Sequence, residues 1–119
     1  MSVQQSAVPL SGTPVDDEAC RRHVPIMELI GRRWSSAILL ALGQGVHRFV
    51  EVHSLVEGIS DRVLSLRLKE LTAAGLVARE VVPTVPVQVR YCLTVRGHEL
   101  LVAIQPLVDW AAQSPTYEE

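Results

Sequence analysis

The sequence predicts a mainly α-helical fold that carries one small β-hairpin wing, a winged helix-turn-helix. Three observations predict it. Within residues 59–76, Leu64, Leu68 and Leu71 recur at i, i+4 and i+7, the period of a helix with one buried face. A shorter helical segment precedes this stretch across a turn containing Gly58. Two runs rich in β-branched residues, 77–82 and 87–93, follow it directly, with Pro83-Thr84-Val85-Pro86 between them.

Taken in order, residues 1–15 mix small, polar, Pro and Gly residues without a period and read as a flexible arm. The folded domain is expected over residues 16–112. Asp16, Asp17 and Glu18 suit the positive end of a helix dipole and open a first helix reaching about Ile30. Its apolar side is Ile26, Met27, Leu29 and Ile30, and Pro25 is expected to kink or break it. Residues 32–42 are nearly all apolar after two arginines and predict a short helix buried on most sides, with Trp34, Ile38 and Leu42 on one line as packing. Gly43 and Gly45 end it. His47-Arg48-Phe49 is expected as a brief strand, and residues 50–57 as a helix burying Val52, Leu55 and Val56.

The 59–76 helix has Ser60 placed to cap its N-terminus and Gly75 to end it in a left-handed conformation. Opposite its leucine stripe lie Arg62, Leu66, Lys69 and Ala73, with Ser65 beside them. Thr94 is placed to cap a last helix over residues 95–112, in which Pro106 introduces a bend. That helix carries Leu100, Leu101, Ile104, Leu107, Val108, Trp110 and Ala111, more apolar circumference than a small domain covers by itself. A second copy of the chain would cover it, so a homodimer is expected. Residues 113–119 read as a polar tail.

At 119 residues the chain is long enough for one core without metal or disulfide staples. No apolar run spans a bilayer and no secretory leader is recognisable, so a cytoplasmic location is expected, with no membrane partner. The formal charge of −2 conceals an asymmetry: all 11 Arg and Lys fall within residues 20–96 beside six acids, and the remaining seven acids flank them. A basic middle between acidic ends is compatible with a nucleic-acid-facing surface.

Enzyme chemistry finds no support. There is no Gly-rich phosphate loop, no zinc-ligand spacing and no Ser-His-acid grouping, and His23, His47, His53 and His98 are dispersed. No metal or cofactor is expected. Cys20 and Cys92 lack Cys-x-x-Cys spacing, and Cys92 in a strand reads as a structural thiol.

The segments Ile30-Gly31-Arg32-Arg33-Trp34, Arg48-Phe49, Gly58-Ile59-Ser60, Val63-Leu64-Ser65, Arg67-Leu68-Lys69-Glu70-Leu71 and Gly75-Leu76-Val77, followed by Pro83-x-Val85-Pro86, Val89-x-Tyr91-x-Leu93-Thr94 and Gly97, resemble the HxlR-type bacterial winged helix-turn-helix transcriptional regulators, relatives of the MarR type. The resemblance covers about residues 27–110. It implies a dimeric, sequence-specific reader of double-stranded DNA. Many such relatives repress a neighbouring gene, and some respond to electrophiles or oxidants. Where thiol-sensing members resemble Cys-Pro 13 residues before the tryptophan, this chain has Arg21, and Cys20 lies one residue earlier. Leu66 stands at a usually polar position, and Gln88 and Arg90 exchange the wing's usual charge pattern.

On this reading Arg62, Ser65 and Leu66 are the candidate base readers. Arg62 offers a bidentate donor to guanine, Ser65 a hydroxyl, and Leu66 an apolar contact for a thymine methyl. Lys69, Arg32, Arg33 and Arg48 are candidate phosphate contacts, with Gln88 or Arg90 acting from the wing. Arg67 either faces DNA or braces the helix against Glu51 or Glu57. Cys20 is the candidate redox sensor, and Met27, Trp34 and Trp110 are candidates for a small-molecule crevice. The operator is expected to be a pseudo-palindrome. The competing reading is a winged-helix protein-interaction module that binds no DNA; a salt-dependent specific site separates the two.

Overall fold

A computed structural model describes residues 17–113 of the chain. Its order is α1 (Asp17–Gly31), α2 (Ser35–Gly43), α3 (Phe49–Leu55), α4 (Asp61–Ala73), β1 (Val77–Val82), β2 (Gln88–Leu93) and α5 (Val95–Gln113). The arm expected over residues 1–15 and the tail beyond residue 113 lie outside the described residues; Gln113, expected as tail, ends α5. Among the described residues no helix is long and apolar enough to cross a membrane.

The core forms where α2, α3 and α4 meet the base of the hairpin. Ile38, Leu39, Val52, Leu64, Leu68, Leu71, Leu76 and Val77 are buried there. The leucine stripe of α4 supplies three of these side chains, each contributing ~1.5–3 kcal/mol by leaving water. α2 is central, as its apolar composition predicts, with Ser35, Ile38, Leu39, Ala41 and Leu42 buried.

Several local expectations are corrected. α1 reaches Gly31, close to the expected Ile30, and runs through Pro25 without breaking. Arg21 and Pro25 are both exposed, so the helix bond that Pro25 cannot donate is lost at the surface and not in the core. α2 starts at Ser35, not residue 32, because Trp34 takes a left-handed φ of 80° and precedes the first turn. Trp34 still packs against the core, half-buried. No strand forms at residues 47–49. The Glu51 carboxylate accepts from the backbone N–H groups of His47 (3.2 Å) and Arg48 (3.1 Å) and starts α3 at Phe49. One strand-like bond survives, from Tyr91 N–H to the His47 carbonyl at 2.7 Å. Leu55, expected inside, is exposed, because α3 ends there and Val56 takes the buried place.

The caps of α4 match their sequence signals. Ser60 Oγ accepts from Val63 N–H at 3.1 Å, and Gly75 has φ +80°. β1 and β2 pair antiparallel with Val77 opposite Leu93 and Val82 opposite Gln88. At the start of α5, Thr94 Oγ1 accepts from Gly97 N–H and donates to the Gly75 carbonyl, locking the last helix onto the end of α4.

Candidate nucleic-acid interface

Leu64, Leu68 and Leu71 turn one side of α4 inward, and at about 100° per residue this directs Arg62, Leu66, Lys69 and Ala73 outward. All four are exposed, Leu66 at 47%, and so is Ser65. Among the described residues neither Arg62 nor Lys69 has a carboxylate within 4 Å. Their charge is therefore uncompensated at the surface.

The two flanks of α4 differ. On one, Arg67 and Glu70 turn toward the link between α1 and α2. Arg67 Nε donates to the Arg33 carbonyl at 3.0 Å, and its Nη1 meets Glu70 Oε1 at 3.2 Å. Arg67 is thus a brace, but its partners are Arg33 and Glu70, not Glu51 or Glu57. Arg32 also approaches Glu70, at 3.8 Å, and the Arg33 guanidinium lies 4.6 Å from the Trp34 ring centroid. Both arginines remain exposed, with Arg32 partly neutralised and Arg33 held in a cation–π contact.

On the other flank, α4 and the hairpin enclose a groove of about 550 Å³ lined by Ser65, Leu68, Lys69, Thr72, Ala73, Arg79 and Tyr91. Arg79 was not among the residues singled out by sequence. The signal was present in the strand alternation, since Val77 is buried and Arg79 lies two residues on, on the same face of β1.

A second cleft gathers Arg48, Gln88 and Arg90, three of the sequence candidates, beside Gly45, His47 and Glu51. The two N–H bonds to Glu51, aided by the nearby positive charge of Arg48, hold its carboxyl below the ordinary value of 4.5. The hairpin tip beyond these groups is uncharged from Val81 to Val89, with Val85 and Val87 exposed.

The remaining candidates are not on the outward face of α4. Met27 lines an apolar groove of about 320 Å³ between α1 and α5, with Ile30, Ile104, Leu107, Val108 and Ala111. Trp34 and Trp110 are not part of that lining, so the three residues do not form one crevice. Cys20 belongs to α1, but its side chain lies outside what is described. Cys92 is a free, half-buried thiol on β2.

A helix with one buried stripe and one unpaired polar face, followed by a hairpin, is the architecture of DNA-reading winged helices. A family model described as HxlR-like helix-turn-helix matches residues 29–118. The chain belongs to this HxlR-like family. A transcriptional regulator of the helix-turn-helix type from Methanothermobacter thermautotrophicus is 36% identical over 104 residues, which cover 87% of this chain and 79% of the relative. Diamide-treated YodB from B. subtilis superimposes with a TM-score of 0.71 at 36% identity, covering 82% of this chain and 97% of YodB. The redox regulator HypR in its oxidised form gives 0.71 at 32% identity, covering 77% and 95%. This HxlR-type chain is accordingly a DNA-binding transcriptional regulator with a winged helix-turn-helix fold, not an enzyme.

Proposed function

We propose that the chain is a dimeric repressor that reads a pseudo-palindromic operator with α4 and releases it in response to a chemical signal. The observation that carries this reading is the exposed row of Arg62, Ser65, Leu66 and Lys69 opposite a fully buried leucine stripe. Arg62, Ser65 and Leu66 read base edges, whereas Lys69, Arg32, Arg33 and Arg48 hold phosphates and Gln88 and Arg90 serve the wing. Dimerisation is supported by α5, where Val102, Leu107 and Trp110 remain more than half exposed beside the apolar groove that α1 completes. Half-site centres then lie about 10 bp apart, or a multiple of it.

Two relatives point to the kind of signal: one was treated with diamide and the other is named a redox regulator. Cys20 is the thiol assigned to this response, and the α1–α5 groove is the place for a small apolar effector if the signal is a ligand. The test is enrichment of duplexes from a randomised library, followed by footprinting with and without diamide, in the wild type and Cys20→Ser. A two-fold footprint lost on oxidation only in the wild type supports the full reading. An oxidation response that persists in Cys20→Ser removes the sensor, a lone asymmetric half-site removes the dimeric operator, and enrichment of no sequence at any salt leaves the protein-interaction module.

A further inference from the structure

The groove between α4 and the hairpin contains two cations and no acid. Lys69 enters from α4 and Arg79 from β1, and Ser65, Thr72 and Tyr91 complete the polar lining. Among the described residues neither cation has a carboxylate within 4 Å. Thr72 Oγ1 is committed to the Leu68 carbonyl at 2.7 Å, which leaves the two cations and the hydroxyls of Ser65 and Tyr91 as the groove's free side-chain donors. Two positive side chains lining one groove, without a counter-charge from the protein, call for an anion from outside.

The position of the groove specifies that anion. It adjoins the outward face of α4, with Ser65 in its lining, and lies at the foot of a hairpin whose tip carries no charge between Val81 and Val89. Arg79 and Arg90 are therefore the cations nearest the tip on their strands, and Arg90 belongs to the separate cleft with Glu51. We infer that Lys69 and Arg79 clamp one phosphate of the DNA backbone in this groove, which anchors the base of the hairpin to the duplex beside α4. The inference rests on the DNA-reading function of α4. It adds an electrostatic contact at the base of the hairpin on the α4 side.

Counterion release gives the clamp a signature. One neutralised phosphate contributes a slope of about −0.9 in log affinity against log salt, equivalent to roughly eightfold at 0.1 M monovalent salt. A shared phosphate can be neutralised only once, so Lys69→Gln/Arg79→Gln should lower the magnitude of the slope by about 0.9, not twice that. The probe is the duplex that the wild-type chain enriches from a randomised library, measured beside a scrambled duplex by fluorescence anisotropy. Arg79→Gln should weaken both duplexes by the same factor, because a phosphate contact carries no sequence information. Neutral methylphosphonates introduced one at a time should reveal a single position that weakens the wild type and leaves the double variant unaffected. Circular dichroism of the variants, expected to match the wild type, guards against loss of fold.

If Arg79→Gln binds as the wild type does while the wild type still selects a sequence, the clamp is overturned and the reading function stands. Two separate methylphosphonate positions with a slope change near 1.8 likewise overturn the shared site. A wild type that selects no duplex overturns both.

Discussion

Arg67 on α4 donates its Nε–H to the main-chain carbonyl of Arg33 at 3.0 Å, tying α4 to the turn in which Trp34 holds a left-handed φ of 80°. A non-glycine residue in that region costs ~1–3 kcal/mol and persists only where its surroundings hold it. Here the Arg33 guanidinium covers the Trp34 ring, and Arg67 holds the peptide that precedes it. Arg67→Ala should lower stability by ~1–2 kcal/mol through loss of a charge-assisted bond and the Glu70 pair. Urea unfolding at neutral pH measures it; an unchanged midpoint would show that the turn holds itself.

Discrimination between sequences should rest on the first two turns of α4. Arg62→Ala should cost ~1–3 kcal/mol on the enriched duplex and far less on a scrambled one. Leu66→Gln should change base preference more than total affinity, because an apolar contact with a thymine methyl is replaced by a side chain that pairs with adenine N6 and N7. Repeating library enrichment with each variant reads out both effects. Identical enriched sequences from the wild type and both variants would remove the base-reading assignments.

Much of this arrangement was legible in the sequence, because α4 is specified by local signals that agree. Its leucine period, the Ser60 cap and Gly75 act within one helix and survive folding unchanged. The errors fall where distant partners override local preference. Residues 32–34 have helical neighbours, yet Trp34 leaves the helix in a turn tied to α4 by Arg67. His47 and Arg48 give their N–H groups to Glu51, so the expected strand becomes a helix cap. Arg79 was overlooked because a single charged residue in a strand acquires a role only when the hairpin folds beside Lys69.

The Glu51 cap makes the start of α3 sensitive to acid. Its carboxyl titrates below the ordinary 4.5 because the charged form accepts two backbone N–H bonds. A lowered folded value means that the stabilisation is fully present above the unfolded value and is lost as pH falls through the folded one. The wild type should therefore be more stable than Glu51→Gln at pH 6–8, and the difference should shrink below about pH 4.5. Thermal melts of both proteins across that range decide it. A difference independent of pH would assign the effect to shape and not charge.

The strictest packing constraint outside the core is Gly97, in the first turn of α5. It is buried, and a Cβ there would run into the main-chain carbonyl of Leu76. That carbonyl cannot retreat freely, because it accepts Thr94 N–H at 3.0 Å and belongs to the residue leading into β1. Nor can α5 simply lift away, since Thr94 bonds both the Gly75 carbonyl and Gly97 N–H. Helix propensity favours alanine over glycine by about 1 kcal/mol, so an open site would gain stability from the exchange. At this site the overlap with backbone should win, and Gly97→Ala should cost ~1–3 kcal/mol net. Gly31, which has open space around it, is the control: Gly31→Ala should not show such a loss. Urea midpoints for the pair separate the two effects, and equal midpoints would show that the α5 junction yields to an added methyl group.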